Sequence, residues 1–201
     1  MLLRNSLTSP YARKVTVLLH ETGFIDQVQI ETIDGWSEPE ELTRENPLSM
    51  VPTLVLHDGR ALFDSAVICE YLDRQQVGRP MIPRTGEMHC RVLCDQALAD
   101  GIMDCAILIF IELEKRPEAL RWDWWLDLKR RAIERSLDSL EQDVEALKER
   151  VDLGTIAVAA ALGYLDLRGA AGEWRDTRPA LADWYAEFSQ RPSMIATAPP
   201  A

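Results

Sequence analysis

The stretch TSPYARKV, residues 8–15, decides how the first half of the chain is interpreted, because it marks the start of a helix. Ser9 is a favoured N-cap residue, and Pro10 suits the first helical position, where a missing N–H costs nothing. Apolar residues then recur at helical spacing to about Gly23, and the apolar residues 1–3 predict a strand before the helix. A strand, a tight turn and a helix N-terminus that carries hydroxyl groups favour an anion-binding site.

The chain up to about residue 76 alternates strands and helices. The elements predicted after the first helix are a strand over 28–33, a helix from 37 that ends before Asn46, a hairpin of strands 53–56 and 61–63, and a helix that begins at Asp64. Asp58-Gly59, between the two hairpin strands, is a favoured two-residue turn. The predicted order is therefore βαβ followed by αββα.

Beyond this part, the pattern becomes helical throughout. Residues 77–86 lack periodicity and contain two prolines and two glycines, which is typical of a linker. Apolar stripes at helical spacing then predict helices over 88–113, 133–147 and 181–188, with a further helix that has Asp152 as N-cap and Thr155 at its third position. We therefore expect an α/β domain over 1–76, a linker over 77–86 and an all-α bundle over 87–201.

Composition limits the kind of partner. The 201 residues carry a net charge of -11, which argues against nucleic acid as a ligand. The longest apolar runs are too short to span a bilayer, and no signal peptide is expected, so the sequence indicates a cytoplasmic protein without a membrane partner. Four cysteines at helical, apolar positions are interpreted as buried free thiols. Cys90 and Cys94 lie near His89, but no second cluster completes a metal site, and we expect none.

The segment NPLSMVPTLVL, residues 46–56, places Pro52 directly before a predicted central strand. Proline has no N–H to donate to a sheet, so it belongs at the first residue of such a strand. Pro52 at this position favours an unusual conformation of the Val51-Pro52 peptide bond, such as cis. A cis bond would turn the backbone N–H and C=O of Val51 outward, where an extended peptide ligand could pair with them.

A second helix N-terminus, in FDSAVICEYLD at residues 63–73, carries Asp64 and Ser65 at its cap. A carboxylate and a hydroxyl beside free backbone N–H groups suit a ligand that has both an ammonium and a carboxylate group. This combination describes the amino-acid end of a small peptide.

These motifs, in this order, resemble the glutathione transferase superfamily, and the resemblance covers essentially the whole chain. Its marks are SPYA at residues 9–12, where related redox proteins have Cys-Pro-Tyr-Cys, the Val51-Pro52-Thr53 turn, the Asp64-Ser65 cap, and the Asp152 and Thr155 cap, which resembles the family's folding box with its two residue types exchanged. The implied fold is a thioredoxin-like α/β domain followed by an all-α helical bundle. The chain is most similar to bacterial members with serine, not tyrosine, at the activating position.

The resemblance implies an enzyme that binds glutathione as co-substrate and ionises its thiol for attack on a small electrophile. A free thiol has a pKa of about 8.5, and lowering it by two units requires about 2.7 kcal/mol. A hydrogen bond to a charged acceptor contributes roughly 1.5–3 kcal/mol, and a helix N-terminus adds about 0.3–1 kcal/mol. Ser9 as hydrogen-bond donor, together with the helix end, therefore suffices without a general base. Thr8 is the competing candidate for this contact.

The same resemblance assigns the remaining contacts to glutathione. Val51 and Pro52 are expected to hold its cysteinyl backbone, and Asp64 and Ser65 its γ-glutamyl end. Met50 stands where many relatives have lysine, so the glycyl carboxylate needs another partner.

Two further residues are candidates for contacts to glutathione. Arg13 is a candidate partner of the glycyl carboxylate. In relatives, an acidic residue on the first helix of the helical domain can reach a neighbouring subunit's site, so Asp100 is a cross-subunit candidate in an expected homodimer. A solvated position on the helix face is the alternative for Asp100.

Two other functions compete with glutathione transfer. A thiol-disulfide activity needs a cysteine nucleophile, and Ser9 stands at that place. A glutathione-fold protein without catalysis, acting as a binding or regulatory scaffold, is the alternative from another class, since fold alone does not establish activity.

Overall fold

The first half of the chain forms a four-stranded sheet with helices on both faces, in a computed structural model that describes residues 1–75 and 78–200. Its strands are β1 (Leu2–Asn5), β2 (Gln29–Thr32), β3 (Thr53–Val55) and β4 (Ala61–Leu62). The helices between and after them are α1 (Pro10–Glu21), α2 (Glu40–Glu45) and α3 (Ser65–Gln75). The fold is the thioredoxin-like one that the sequence predicted.

The directions of the strands bring three loops to one edge of the sheet. The strand order is β2-β1-β3-β4, with β1 parallel to β2 and antiparallel to β3. Thr53, where β3 begins, is opposite Arg4 near the end of β1, and Leu62, where β4 ends, is opposite Leu54. The chain therefore leaves β1, enters β3 and leaves β4 at the same edge.

The core of this part lies between the sheet and the pair α1 and α3, which pack against each other. Successive strand residues point to opposite faces, so Leu3 is buried under these helices while Arg4 points to the other face. The buried Arg4 donates through Nε and Nη2 to both carboxylate oxygens of Glu45, at 2.8 and 2.7 Å, and through Nη1 to Glu31 at 2.6 Å. This guanidinium holds the end of α2 against the sheet.

The second half is helical. Its helices are α4 (Glu87–Phe110), α5 (Asp123–Gln142), α6 (Val144–Lys148), α7 (Leu153–Arg168), α8 (Trp174–Thr177), α9 (Pro179–Phe188) and α10 (Pro192–Ala196). Every residue of α7 from Leu153 to Leu165 is buried. A Cβ on Gly154 would lie 2.9 Å from Cβ of Asp95, so α7 requires glycine where it approaches α4. The predicted capping box of Asp152 and Thr155 is confirmed.

Two helical predictions need correction. The helix predicted over 133–147 is broken at Asp143, whose N–H bonds to the carbonyl of Leu140 and whose carboxylate pairs with Arg91. The apolar stripe continues across this break because Val144 and Leu147 remain buried, so the pattern conceals it. The helix predicted over 181–188 is also not the last one, since α10 follows it.

The described residues form two compact units. One comprises Met1–Cys90 together with the segment that begins at Pro192, and the other comprises Arg91–Arg191. The segment from Pro192 onward, which the sequence analysis placed in the helical part, groups with the first unit because α10 packs on α1. Residues 76, 77 and 201, at which predicted borders fall, lie outside the described residues, and the borders at 76, 77–86 and 87 stay predictions.

The cysteines differ from the prediction of buried thiols. Cys69 is buried and Cys105 is half-buried, but Cys90 and Cys94 are exposed on α4. The prediction was wrong for these two because α4 carries apolar residues around much of its circumference, so spacing alone does not identify its buried side. None of the helices in the described part of the chain has the length and apolar character needed to cross a membrane.

Candidate functional site

Ser9 is the N-cap of α1. Its Oγ accepts a hydrogen bond from the Ala12 N–H at 3.2 Å, and its backbone has the extended conformation that such caps require. The Ser9 hydroxyl donates to no residue in the described part of the chain, so its proton is available to an acceptor beyond the helix end. The neighbouring Thr8 is exposed.

The loop before β3 carries the predicted Val51-Pro52 bond, which is cis. No described residue pairs with the backbone N–H or C=O of Val51, which is half-buried at the start of β3. An extended peptide placed along this residue could exchange two backbone hydrogen bonds with it, as an added strand does. The Met50 side chain beside it is 62% exposed and offers no charge.

Asn46 and Thr53 build this loop, and the sequence analysis did not identify them as site residues. Asn46 is 1% exposed, and its Nδ2 donates to the carbonyl of Met50 and to Oγ1 of Thr53, both at 3.0 Å. The Thr53 hydroxyl donates to the same Met50 carbonyl at 2.8 Å. Asn46 Oδ1 accepts from the Leu48 N–H at 3.0 Å. These bonds hold the Met50 carbonyl in one direction and so orient the peptide that follows it.

Asp64 and Ser65 lie at the start of α3. Asp64 Oδ1 accepts from the Ala66 N–H at 3.0 Å, and the Asp64 carbonyl accepts from the Ile68 N–H. The Phe63-Asp64 peptide bond is also cis. Ser65 is only 2% exposed, yet no described residue pairs with its hydroxyl. A hydroxyl beside the free N–H groups of a helix start is suited to an incoming carboxylate.

The strand directions bring these groups together at one edge of the sheet. Ser9 follows β1, Val51-Pro52 precedes β3 and Ser65 follows β4. Each of the three offers an unpaired polar group there. The result is a row formed by a hydroxyl donor, a backbone amide pair and a second hydroxyl at a helix N-terminus.

The structure does not add Arg13 or Asp100 to this row. The Arg13 Nη2 donates to the carbonyl of Met194 at 3.2 Å, on the side of β1 where β2 lies. Asp100 lies in the other unit, half-buried on α4, with Gln96 Nε2 3.5 Å from its Oδ2. No group of three or more His, Cys, Asp or Glu side chains among the described residues is arranged to hold a metal ion.

Comparison with known proteins gives one consistent result. Residues 8–75 match the glutathione S-transferase N-terminal domain. Over the full chain, 38% of residues are identical to the uncharacterized GST-like protein YibF of Escherichia coli (strain K12), 99% of which is covered.

Solved structures agree over the whole length. A glutathione transferase family member from Pseudomonas fluorescens Pf-5, crystallised with bound glutathione, superposes with a TM-score of 0.96 at 46% identity, with 100% of this chain and 99% of that chain covered. A glutathione S-transferase from Methylobacillus flagellatus KT, with glutathione bound, superposes with a TM-score of 0.89 at 35% identity and 99% coverage of both chains. The chain belongs to the glutathione transferase family.

Proposed function

We propose that this protein is a glutathione transferase, which binds glutathione as co-substrate and activates its thiol for attack on a small electrophile. The observation that carries the proposal is the row of unpaired polar groups on Ser9, Val51 and Ser65 at one sheet edge. The glutathione bound to the Pseudomonas fluorescens relative at 46% identity supports the choice of ligand.

Each group in the row has one task. The backbone N–H and C=O of Val51 pair with the cysteinyl residue of glutathione. Pro52 fixes the direction of the backbone beside Val51. Ser65 donates to the γ-glutamyl carboxylate, which also meets the positive end of α3, and the Asp64 carboxylate receives the γ-glutamyl ammonium. The cysteinyl sulfur then lies toward the start of α1, within reach of Ser9.

The chemistry needs no general base. The Ser9 hydroxyl donates to the sulfur and favours its ionised form, and the thiol proton passes to solvent. The sulfur attacks an electrophilic carbon, a carbon–sulfur bond forms and the leaving group departs with its bonding electrons. Because Ser9 Oγ already accepts from Ala12 N–H, its own proton is directed away from the helix and toward the ligand.

A catalytically inactive glutathione-binding protein is the second candidate. The exposed and uncharged Met50 offers the glycyl carboxylate no cation, which weakens the binding of glutathione for either candidate. Both candidates include glutathione binding, and only the activated thiol separates them.

The separating experiment is a calorimetric titration with glutathione, combined with the ultraviolet absorbance of bound thiolate as a function of pH. We expect binding with a thiol pKa below its free value of about 8.5 in the wild type. Ser9→Ala is expected to raise that pKa by roughly 1–2 units, the equivalent of one hydrogen bond to a charged group. Transfer to an activated aryl chloride should fall in parallel.

Matched variants identify the donor. Ser9→Thr keeps both the hydroxyl and the helix cap and should retain most activity, whereas Thr8→Ala should leave the thiolate band unchanged. Loss of the band in Thr8→Ala alone would move the donor to Thr8. Binding without a thiolate band would establish the inactive alternative.

The proposed oligomeric state and cellular location are those that the family suggests. We propose a cytoplasmic homodimer in which Asp100 of one subunit approaches the γ-glutamyl ammonium in the other. Sedimentation should give a dimer, and Asp100→Asn should weaken glutathione binding without changing the thiolate pKa. A monomer with unchanged affinity in Asp100→Asn would contradict this part alone.

A further inference from the structure

A second cleft, of about 170 Å³, lies in the first unit between α1, β2 and the C-terminal residues 196–198. Its walls include Arg13, Thr16 and His20 from α1, Asn5 from β1, and Ile30 and Thr32 from β2. Because β2 pairs with β1 on the side opposite to β3, the cleft is separated by β1 from Pro52 and Ser65.

Regular spacing places these side chains face to face. Residues 13, 16 and 20 recur at intervals of three and four and so share one side of α1. In the parallel pair, Leu3 is opposite Ile30 and Asn5 is opposite Thr32, so these side chains point to the face of the sheet that α1 covers. The cleft is therefore formed by side chains of α1 and by side chains on the sheet face that α1 covers.

Arg13 gives the cleft an uncompensated positive charge. The only hydrogen bond of its side chain within the described residues runs from Nη2 to the Met194 carbonyl, which anchors the guanidinium without neutralising it. Nε is buried and has no partner among the described residues. No described carboxylate forms an ion pair with Arg13, and none of the residues that line the cleft is acidic. In a chain of net charge -11, such an arginine stands out.

Asn5 adds an unpaired neutral group. It is 6% exposed, yet its side-chain amide pairs with no described residue. Because Asn5 lines the cleft, its amide donor and acceptor are available to a ligand there. Beside it, Ile30 and Leu7 are both partly exposed and give the same cleft an apolar wall.

We propose that this cleft binds a small organic acid, separately from glutathione. The carboxylate accepts hydrogen bonds from the Arg13 guanidinium and the Asn5 amide, and the aliphatic or aromatic body lies against Ile30 and Leu7. A guanidinium held by a backbone carbonyl is a preorganised partner for a planar carboxylate. This assignment gives Arg13 a role other than contact with the glycyl carboxylate.

Benzoate is a suitable probe, with neutral benzamide as its uncharged counterpart of the same shape. Calorimetric titration of the full chain should give saturable binding of benzoate and at least about tenfold weaker binding of benzamide. Arg13→Gln should weaken benzoate binding by at least about tenfold, and Arg13→Lys should retain part of it. Arg44→Gln, which removes an exposed arginine of α2, should leave binding unchanged.

Competition separates this proposal from the proposed function. Saturating glutathione should not displace benzoate, and Ser9→Ala should bind benzoate like the wild type whether or not the protein is a transferase. Displacement by glutathione, equal binding of benzamide, unchanged binding in Arg13→Gln, or no benzoate binding by a wild-type protein with a normal melting transition would each overturn the proposal.

Discussion

The side chain of Asn46 donates to Oγ1 of Thr53 over 3.0 Å, across the loop that carries Val51 and Pro52. Both side chains are buried, and both also bond to the Met50 carbonyl. The direction of the Val51 backbone therefore depends on two residues that would not contact the ligand.

Asn46→Asp tests this dependence. The substitution keeps the oxygen that accepts from Leu48 N–H but replaces the donor to Met50 and Thr53 with an acceptor. We expect a loss of about 1–3 kcal/mol in the free energy of unfolding. Glutathione affinity should fall because Val51 is no longer oriented, while the thiol pKa of the glutathione that still binds should stay at its wild-type value.

Calorimetry and urea unfolding give the two quantities. Thr53→Ser is the matched control, since it keeps the hydroxyl and should remain near the wild type in both. Asn46→Asp with wild-type glutathione affinity would show that the loop does not depend on this side chain.

The parts of the fold that follow from local chemistry could be predicted. The Ser9 cap, the hairpin around Asp58-Gly59 and the capping box of Asp152 and Thr155 each depend on residues a few positions apart, and each is present. The hairpin loop has three residues, 57–59, and not the predicted two, because the Leu56 N–H bonds to the Arg60 carbonyl. The role of Asn46 could not be predicted, because Asn46-Pro47 indicates only the end of a helix when the neighbouring residues alone are considered. Its partner seven residues away becomes visible only once β3 is placed.

Tertiary packing also explains the other differences. The same helical spacing suits a continuous helix and one interrupted at Asp143, since Arg91 supplies the contact at the break from far along the chain. Arg13 lies about one helical turn after Ser9, yet its guanidinium reaches the carbonyl of Met194. The sequence shows that each of these residues is present, but it does not show which distant residue comes into contact with it.

Asp152 makes two kinds of contact that can be separated. Its Oδ1 accepts from the Thr155 N–H at 3.1 Å, and its Oδ2 pairs with the Arg150 guanidinium, also at 3.1 Å. Asp152→Ala should lose the cap, about 1 kcal/mol, and the charged contact, roughly 1–3 kcal/mol. Asp152→Asn keeps a good cap and should lose only the second part.

Urea unfolding of both variants measures the difference. Arg150 also pairs with Asp95 at 2.6 Å, so the guanidinium keeps one carboxylate in either variant. Equal stability of the two variants would mean that the cap contributes nothing at this position.

The contacts of Glu112 predict that the free energy of unfolding falls at acidic pH. Burial alone would raise the pKa of its carboxyl, but hydrogen bonds from the Trp122 N–H at 2.9 Å and from Arg116 at 2.8 Å outweigh burial and lower the pKa below its ordinary value. The unfolded chain therefore binds the proton more tightly than the folded one. The stabilisation by ionised Glu112 is fully present above the unfolded pKa, about 4.3, and is lost as pH falls through the folded pKa.

Glu112→Gln should therefore destabilise the protein at neutral pH, and its difference from the wild type should shrink below about pH 4. Urea unfolding in a pH series checks this. Glu114→Gln, an exposed change in the same turn, is the control and should give a small difference at every pH. A difference for Glu112→Gln that stays constant down to pH 3 would show that the carboxyl pKa is not lowered.

The four cysteines should differ in reactivity toward a thiol reagent such as Ellman's reagent. Exposed thiols react quickly, so Cys90 and Cys94 should account for two rapid equivalents in the native protein. Burial raises the pKa of the Cys105 thiol and lowers its thiolate fraction, so Cys105 should react slowly. Cys69 is fully buried and should react only when the protein unfolds.

Cys90→Ser and Cys94→Ser should each remove one rapid equivalent, and the double variant should remove both. Cys69→Ser is the control, since it should leave the rapid phase unchanged and lower only the total measured in denaturant. A rapid phase that persists in the double variant would mean that the Cys105 thiol is more accessible on α4 than its burial indicates. For the wild type, raising the pH should accelerate the Cys105 phase more than the phase of Cys90 and Cys94, because a thiol of raised pKa gains its thiolate at higher pH.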